Sequence, residues 1–382
     1  MGEIIYLDHA ATSWPKPPAV GEAMMNALEF AGANPGRGSH RMAVQASRVL
    51  FETRKDLAAL FGIKNPNDIA FGSNTTEALN LAIQGILQDG DHVIATMAEH
   101  NSVRRPLEFL RSQGKIEVDY VSVDAAGLIN LKAMEQIFRK NTRLVVCTHS
   151  SNLLGSILPI SDIAQLCRKY KALLLVDAAQ SAGVMPLEVG QMGIDMLAFP
   201  GHKGLLGPQG TGGLYIAPNL DVQPLLHGGT GSQSEAVEQP KVRPDRYEAG
   251  TPNTIGIAGL GAGVKHVLAV NPAVIYKHEW ELTQHILEGL SFINGFQKLG
   301  PDIGQPRTGL VSFVIEGYDP AQLAFKLDRN YGIAVRSGFH CTPLAHESAG
   351  TTTTGAVRAS VGYSSTKQEA DELIRAVIEL TT

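Results

Sequence analysis

The sequence has little cysteine, and its cysteines are far apart. Only three occur in 382 residues, at Cys147, Cys167 and Cys341. They are too few and too scattered for a disulfide framework or a paired-cysteine metal site. We therefore expect a protein of a reducing compartment, and we predict no metal site.

Long apolar segments and blocks of basic residues are also missing. No apolar stretch approaches the roughly 20 residues of a membrane-spanning helix, and the N-terminal residues lack the basic and apolar regions of a secretory signal. The chain has 32 Lys and Arg against 37 Asp and Glu, a net charge of −5, with no basic stripe. These features argue against membrane insertion, secretion and nucleic-acid binding and predict a cytoplasmic protein.

What the sequence does contain is the pattern of an α/β protein with a large core. Hydrophobic residues make up 44% of the chain and charged residues 18%. Apolar runs bounded by turn residues alternate with segments of helical period, which indicates βαβ units and a mainly parallel sheet. The predicted strands are 91–96, 144–148, 173–177, 196–199 and 213–216, and the predicted helices are 76–87, 103–113, 131–139 and 160–170.

The C-terminal third follows a different pattern. Residues from about 228 to 252 are polar, marked by Gly and Pro and almost without periodicity, which predicts a long functional loop. Beyond it, strands and helices alternate in the manner of a compact α+β lobe. The predicted helices are 257–268, 274–292, 320–330 and 367–380, and the predicted strands are 310–315 and 334–336.

The strongest chemical signal is an Asp at a strand end followed by a Lys. Asp177 ends a run of buried-strand type, and Lys203 follows in Gly-His-Lys-Gly after room for one further strand. Open α/β sheets bind ligands at the carboxyl ends of their strands. A carboxylate and an amine that converge there suit pyridoxal phosphate, which uses an Asp at its ring nitrogen and a Lys at its aldehyde. On spacing alone, a capping Asp and a solvated loop Lys remain the commoner explanation.

Two further segments face the same predicted edge. Thr75 and Thr76 open a predicted helix, whose hydroxyls and free N–H groups suit a phosphate, although ordinary capping explains them as well. His100 lies between a strand and a helix, where its ring could stack on a cofactor or simply form a hydrogen bond within the loop.

Cys341 differs from the other cysteines because it lies in a loop. Its neighbours include Arg336 and His340, the surroundings that a reactive thiol needs. Cys147 and Cys167 fall in apolar strand and helix patterns, where cysteines are usually inert. A single loop cysteine is nevertheless more often incidental than catalytic.

Taken together, these segments resemble the class V aminotransferase family of fold-type I pyridoxal-phosphate enzymes, and within it the cysteine desulfurase and selenocysteine lyase branch of group II (Suf-type). The similarity runs through almost the whole chain in the order of the family. Its motifs here are Tyr6-Leu7-Asp8-His9-Ala10-Ala11-Thr12, Asn74-Thr75-Thr76-Glu77-Ala78, Glu99-His100, Ser151-Asn152-Leu153-Leu154-Gly155, Asp177-Ala178-Ala179-Gln180, Gly201-His202-Lys203, Gly207-Pro208-Gln209-Gly210, Glu248-Ala249-Gly250-Thr251-Pro252-Asn253, Arg336-Ser337-Gly338-Phe339-His340-Cys341 and Val357-Arg358-Ala359-Ser360.

The resemblance implies a fold and a domain division. The fold is a large domain with a mainly parallel seven-stranded sheet and a smaller α+β domain. We expect residues 17–255 in the large, cofactor-binding domain, and residues 1–16 with 256–382 in the small one.

The resemblance also implies a role for each site residue. Lys203 would bind the cofactor covalently and act as the base, and Cys341 would accept sulfur. Asn152 and Arg358 would bind the substrate carboxylate, and Thr251 would reach the cofactor phosphate of a partner subunit in a homodimer. The remaining cofactor contacts are the ring-stacking His100, Asp177 at the ring nitrogen, Gln180 at the ring hydroxyl, and Thr75, Thr76 and His202 at the phosphate.

The activity that the resemblance implies is conversion of L-cysteine to L-alanine, with sulfur passing to Cys341 as a persulfide and on to an acceptor protein. The alternatives are a selenocysteine lyase, another class V aminotransferase or β-lyase, and a non-catalytic scaffold. Two positions depart from the family pattern: Pro200 replaces a common Ser, and Phe339 replaces a His common in the group II branch. They bear on phosphate binding and on the choice between cysteine and selenocysteine.

Overall fold

A computed structural model describes residues 4–36 and 38–381. Strands and helices alternate along most of the chain. The strands are β1 (Ile5–Tyr6), β2 (Ile69–Gly72), β3 (Asp91–Thr96), β4 (Ile116–Val121), β5 (Thr142–Thr148), β6 (Leu173–Asp177), β7 (Met196–Pro200), β8 (Gly212–Ile216), β9 (Phe296–Leu299), β10 (Leu310–Ile315), β11 (Ile333–Ala334), β12 (Arg336–Gly338) and β13 (Ala356–Ser360). The helices are α1 (Pro18–Phe30), α2 (Arg41–Leu60), α3 (Thr75–Ile86), α4 (Asn101–Ser112), α5 (Leu131–Gln136), α6 (Ile160–Tyr170), α7 (Val189–Met192), α8 (Thr254–Val270), α9 (Pro272–Leu290), α10 (Pro320–Tyr331), α11 (Pro343–Ser348) and α12 (Lys367–Thr381).

A seven-stranded sheet forms the centre of the molecule, in the order β2-β8-β7-β6-β5-β3-β4. All neighbouring pairs are parallel except those of β8, which runs antiparallel to both β2 and β7. Separate apolar clusters cover its two faces, so the central strands are buried on both sides. The predicted α/β class and mainly parallel sheet are confirmed.

The register of the central strands sets the position of the site. Thr148 at the end of β5 lies beside Asp177 at the end of β6, and Asp177 lies beside Ala198 in β7. Because these strands are parallel, their carboxyl ends meet at one edge of the sheet. The segments that follow them therefore converge there.

The C-terminal region builds a second, smaller layer. A four-stranded antiparallel sheet has the order β12-β13-β10-β9, and β1 pairs with β11 in a parallel ribbon. Leu7, Ile286, Phe313 and Leu373 belong to the fully buried cluster beneath it. The N-terminal strand thus joins the C-terminal part of the chain. The domain boundaries given above stay a prediction.

Helices α1 and α2 were not predicted, and their packing explains why. Of the seven buried residues of α2, three are Ala43, Ala46 and Ala58 and only Leu50 and Leu57 are large and apolar, so few large side chains mark its buried face. These helices pack closely on the glycine-rich α8. A Cβ on Gly261 would lie 2.4 Å from the hydroxyl of Thr53, so close packing here depends on the missing side chain.

The predicted loop before α8 contains neither helix nor strand between Ile216 and Thr254 in the described structure. It is held by a buried ion pair, in which Arg54 donates to both carboxylate oxygens of Glu248 at 2.6 and 2.8 Å. Glu248 also accepts the N–H of Phe71 at 2.7 Å. The loop is therefore fixed to β2 at this point.

Within the described part of the chain, no single helix is long and apolar enough to span a membrane. Helices α8 and α9 reach that length and composition only as a pair, across a bend of 80°.

Candidate active site

A cavity of about 230 Å³ opens where the central strands end. Residues from β5, β6, the segment after β7 and the start of α3 line it, together with residues of the C-terminal layer. It brings together most of the predicted site residues, namely Thr75, Thr76, His100, Asn152, Asp177, Gln180, His202, Lys203 and Arg358.

Asp177 and Lys203 place opposite charges in this cavity. Asp177 is 2% exposed, and its Oδ1 accepts the N–H of Ala179 at 2.9 Å. Burial raises the pKa of the Asp177 carboxyl, while that N–H and the Lys203 ammonium oppose the rise. Burial lowers the pKa of Lys203 to about 8, and the carboxylate of Asp177 acts against this shift. Each charge thus offsets part of the desolvation cost of the other.

The N-terminus of α3 forms another wall of the cavity. Asn74 caps the helix by accepting the N–H of Glu77 at 3.0 Å, so Thr75 and Thr76 occupy its first turn. The positive end of the helix dipole and these hydroxyls point to an anion site. His202 also lines the cavity, and its Nδ1 is buried without a hydrogen-bond partner in the described structure.

His100 has a defined tautomer. Its Nδ1 accepts the N–H of Ser102 at 3.0 Å and lies 2.8 Å from the Ser102 hydroxyl. Nδ1 must therefore carry a lone pair, and in the neutral ring the hydrogen is on Nε2. Burial and then the charge of Lys203 lower the pKa of His100 to about 4. The ring is uncharged near neutral pH and can lie flat against an aromatic ligand.

Arg358 is a buried cation that faces the cavity. It is 1% exposed, forms an ion pair of 2.9 Å with Asp8 and donates to the carbonyl of Asn152 at 2.9 Å. The side-chain amide of Asn152 donates to the carbonyl of His340 at 2.7 Å. The pair with Asp8 was not predicted, because only the fold brings the two ends of the chain together.

Cys341 lies just outside the cavity. It borders a neighbouring groove of about 450 Å³, which shares Thr76, His100 and Ser102 with the cavity. The residue is exposed, and its sulfur lies 3.8 Å from a guanidinium nitrogen of Arg336. The other two cysteines are buried, as predicted.

The backbone at Cys341 has an unusual conformation. His340 and Cys341 have φ angles of 48° and 60°, so two consecutive side-chain-bearing residues occupy the left-handed region. Such residues cost about 1–3 kcal/mol each and persist where their surroundings hold them. The thiol is therefore presented by a constrained turn.

Thr251 does not line the cavity. It is exposed, and its Oγ1 accepts a hydrogen bond from Asn34 at 3.4 Å. Phe339, one of the two departures, is 48% exposed and meets the ring of His346 edge-on at 5.3 Å. Pro200, the other departure, ends β7 opposite Gly212.

Glu99, whose role no sequence pattern predicts, is fully buried beneath the site. Its Oε1 accepts the hydroxyl of Thr96 at 2.5 Å and the N–H of Thr148 at 2.9 Å. Burial raises its pKa from 4.5 to about 8. Glu99 therefore joins the ends of β3 and β5, and its raised pKa favours the protonated form near neutral pH.

The fold and this site define an α/β protein of fold type I. More specifically, the chain belongs to the class V aminotransferase family, whose sequence profile matches residues 5–373. The predicted family is confirmed.

Individual relatives are similar over nearly the whole chain. A protein of Methanothermobacter thermautotrophicus named probable cysteine desulfurase is 37% identical over 96% of this chain and 92% of its own length. One of Aeropyrum pernix with the same name is 34% identical over 99% and 95%. The apo structure of the cysteine desulfurase of Thermococcus onnurineus superposes with a TM-score of 0.93 at 33% identity, covering 99% of this chain and 94% of the other.

Glu99→Gln should remove one component of the pH dependence of stability. Between its unfolded pKa of 4.5 and its folded pKa of about 8, the unfolded chain releases a proton that the folded chain keeps. The wild type therefore loses stability as the pH rises through this range. We expect the free energy of unfolding of the variant, minus that of the wild type, to grow by about 1.4 kcal/mol per pH unit.

Denaturant unfolding of both proteins between about pH 5 and 8 measures this difference. Glu22→Gln, on an exposed turn of α1, controls for the loss of a negative charge. A difference independent of pH would contradict a neutral Glu99.

Proposed function

We propose that this protein is a pyridoxal-phosphate-dependent cysteine desulfurase that converts L-cysteine to L-alanine and takes the sulfur onto Cys341. The observation that carries the proposal is the exposed Cys341 in a groove that adjoins the cavity of Asp177 and Lys203 and shares three lining residues with it. The names of the relatives support the same activity.

The residues present fit the cofactor. Asp177 supplies a buried carboxylate for a protonated ring nitrogen, and Lys203 supplies an amine whose lowered pKa favours its neutral, nucleophilic form. The first turn of α3 and the unpartnered Nδ1 of His202 offer donors to a phosphate. Bound there, pyridoxal phosphate would supply an electron-withdrawing ring that makes the Cα–H of an amino acid acidic.

Arg358 would hold the substrate carboxylate. A guanidinium that is 1% exposed needs an anion, and in the described structure Asp8 provides it from one side. A bidentate carboxylate is a strong ligand for such a group. With Asn152 beside it, this contact would fix the Cα of the substrate near Lys203.

Lys203 would transfer the Cα proton of the substrate. Its pKa of about 8 leaves a substantial neutral fraction near physiological pH, so the amine can remove the Cα proton and return it later. His100 would remain neutral and pack on the ring rather than add a charge to the site.

The sulfur transfer would then take place at Cys341. The Sγ–S bond to the substrate sulfur forms as the Cβ–S bond breaks, and Cβ receives a proton, so cysteine and a thiol give alanine and a persulfide. The Cys341 sulfur is oxidised and Cβ is reduced, and no outside oxidant is needed. Arg336 places a positive charge beside the reacting sulfur.

We also propose a cytoplasmic homodimer that passes sulfur to an acceptor protein. The exposure of Thr251 on a loop, away from the cavity of its own chain, is compatible with the role in a partner subunit that the family resemblance implies. The exposed thiol leaves room for an acceptor at the groove.

The activity predicts a defined product ratio. Purified protein with pyridoxal phosphate, L-cysteine and a reductant should yield alanine and sulfide in equal amounts, and Cys341→Ala should lose at least about 100-fold of this activity because the nucleophile is gone. Cys167→Ala, which removes a buried thiol, is the matched control.

Other products would refute the proposal in distinct ways. Pyruvate in place of alanine would indicate a β-lyase. Turnover of L-selenocysteine alone, indifferent to Cys341→Ala, would indicate a selenocysteine lyase, and no turnover of either would indicate another amino-acid substrate.

The low pKa of Lys203 predicts the pH dependence of cofactor uptake. Only the neutral amine attacks an aldehyde, so the rate at which apo-protein takes up pyridoxal phosphate should rise with pH and level off above about 8. Asp177→Asn should lower this midpoint because the carboxylate of Asp177 raises the pKa of Lys203. Stopped-flow absorbance follows the reaction, with Lys203→Ala as the blank, and a rate still rising at about pH 10, as for an ordinary lysine, would contradict the assignment.

A further inference from the structure

The hydroxyl of Thr342 makes an unexpected contact. Thr342 is the N-cap of α11, where a threonine ordinarily accepts an N–H of its own helix, yet the structure shows no side-chain cap here. Instead the Thr342 hydroxyl, in a residue with no exposed surface, donates to the carbonyl of Glu99 at 3.0 Å and lies 3.5 Å from that of Ala98. It connects the turn that carries Cys341 to the turn that carries His100.

The same two turns are joined a second time. The N–H of Asn101 donates to the carbonyl of Cys341 at 2.8 Å. From the opposite side, the amide of Asn152 donates to the carbonyl of His340 at 2.7 Å. The left-handed residues His340 and Cys341 are therefore held on both sides. Among the hydrogen bonds of the described residues, Thr342 provides the one side chain of this turn that bonds to the turn of His100.

We propose that Thr342 is a positioning residue that fixes the sulfur of Cys341 relative to the substrate. The inference rests on the proposed function, since it concerns the sulfur-transfer step. Without the hydroxyl, the strained turn at His340 and Cys341 would relax. The Cys341 sulfur would then move out of position for attack on the substrate sulfur. Binding of the substrate carboxylate at Arg358 and the proton transfer at Lys203 would change little. Neither residue forms a hydrogen bond to Thr342 in the described structure, and the hydrogen bond from Asn152 to this turn ends on the backbone carbonyl of His340.

The kinetic test uses three variants of the holoenzyme. Thr342→Val keeps the shape and removes the hydroxyl, and we expect kcat for alanine formation to fall about 10-fold while KM stays within about twofold. Thr342→Ser restores the donor and should retain kcat within about twofold of the wild type. Thr53→Val removes another buried threonine hydroxyl, which donates to the carbonyl of Ile257 at 3.1 Å, and should leave kcat unchanged.

Amide hydrogen exchange tests, without any substrate, whether the Thr342 hydroxyl holds the turn of Cys341 in place. In Thr342→Val, exchange across residues 338–342 and at Asn101 should accelerate about 10-fold or more, whereas Thr342→Ser and Thr53→Val should match the wild type. Unchanged exchange in Thr342→Val, or a kcat within about twofold of the wild type, would overturn the positioning role. A loss of kcat shared with Thr53→Val would also overturn it, since the cause would then be general destabilisation. Absence of alanine from the wild type would instead overturn the proposed function itself.

Discussion

The electrostatic interaction between the buried Asp177 and Lys203 is the constraint on which the site depends. Each group is costly to bury alone, and each reduces the cost for the other. Their proximity follows from the sheet, because β6 and β7 are adjacent and parallel and end at the same edge. A change in strand order or register would separate the two charges. The large apolar core on both faces of the sheet fixes this register and so keeps Asp177 and Lys203 in position.

The chemistry is divided between two neighbouring spaces. The cavity holds the groups that suit a cofactor and a carboxylate, whereas the groove beside it presents the thiol of Cys341. His100 lies in both, and its Nδ1 is held by Ser102. The turn that carries the thiol is tied to the turn before α4, so the position of the sulfur depends on the same strand ends that position the cofactor groups.

The sheet at the centre of this arrangement could be predicted from sequence, because buried parallel strands leave a strong apolar signal. That signal also placed Asp177 and Lys203 near one edge of the sheet, but their roles were decided by the family resemblance. Helices α1 and α2 could not be predicted, since few large side chains mark their buried faces. The buried Glu99 and the hydroxyl of Thr342 also escaped prediction. Their roles depend on contacts between segments distant in sequence, which no local pattern records. The roles of the remaining site residues came from motif resemblance, and the structure adds their placement.

The most direct test of the account is to locate the sulfur after reaction. Wild-type protein with pyridoxal phosphate would be treated with L-cysteine, blocked with an alkylating reagent, digested without reductant and examined by peptide mass spectrometry. The account predicts one additional sulfur atom on the peptide that contains Cys341 and none on those that contain the buried Cys147 and Cys167. Alanine formation with no added sulfur at Cys341, or with the added sulfur on another cysteine, would contradict it.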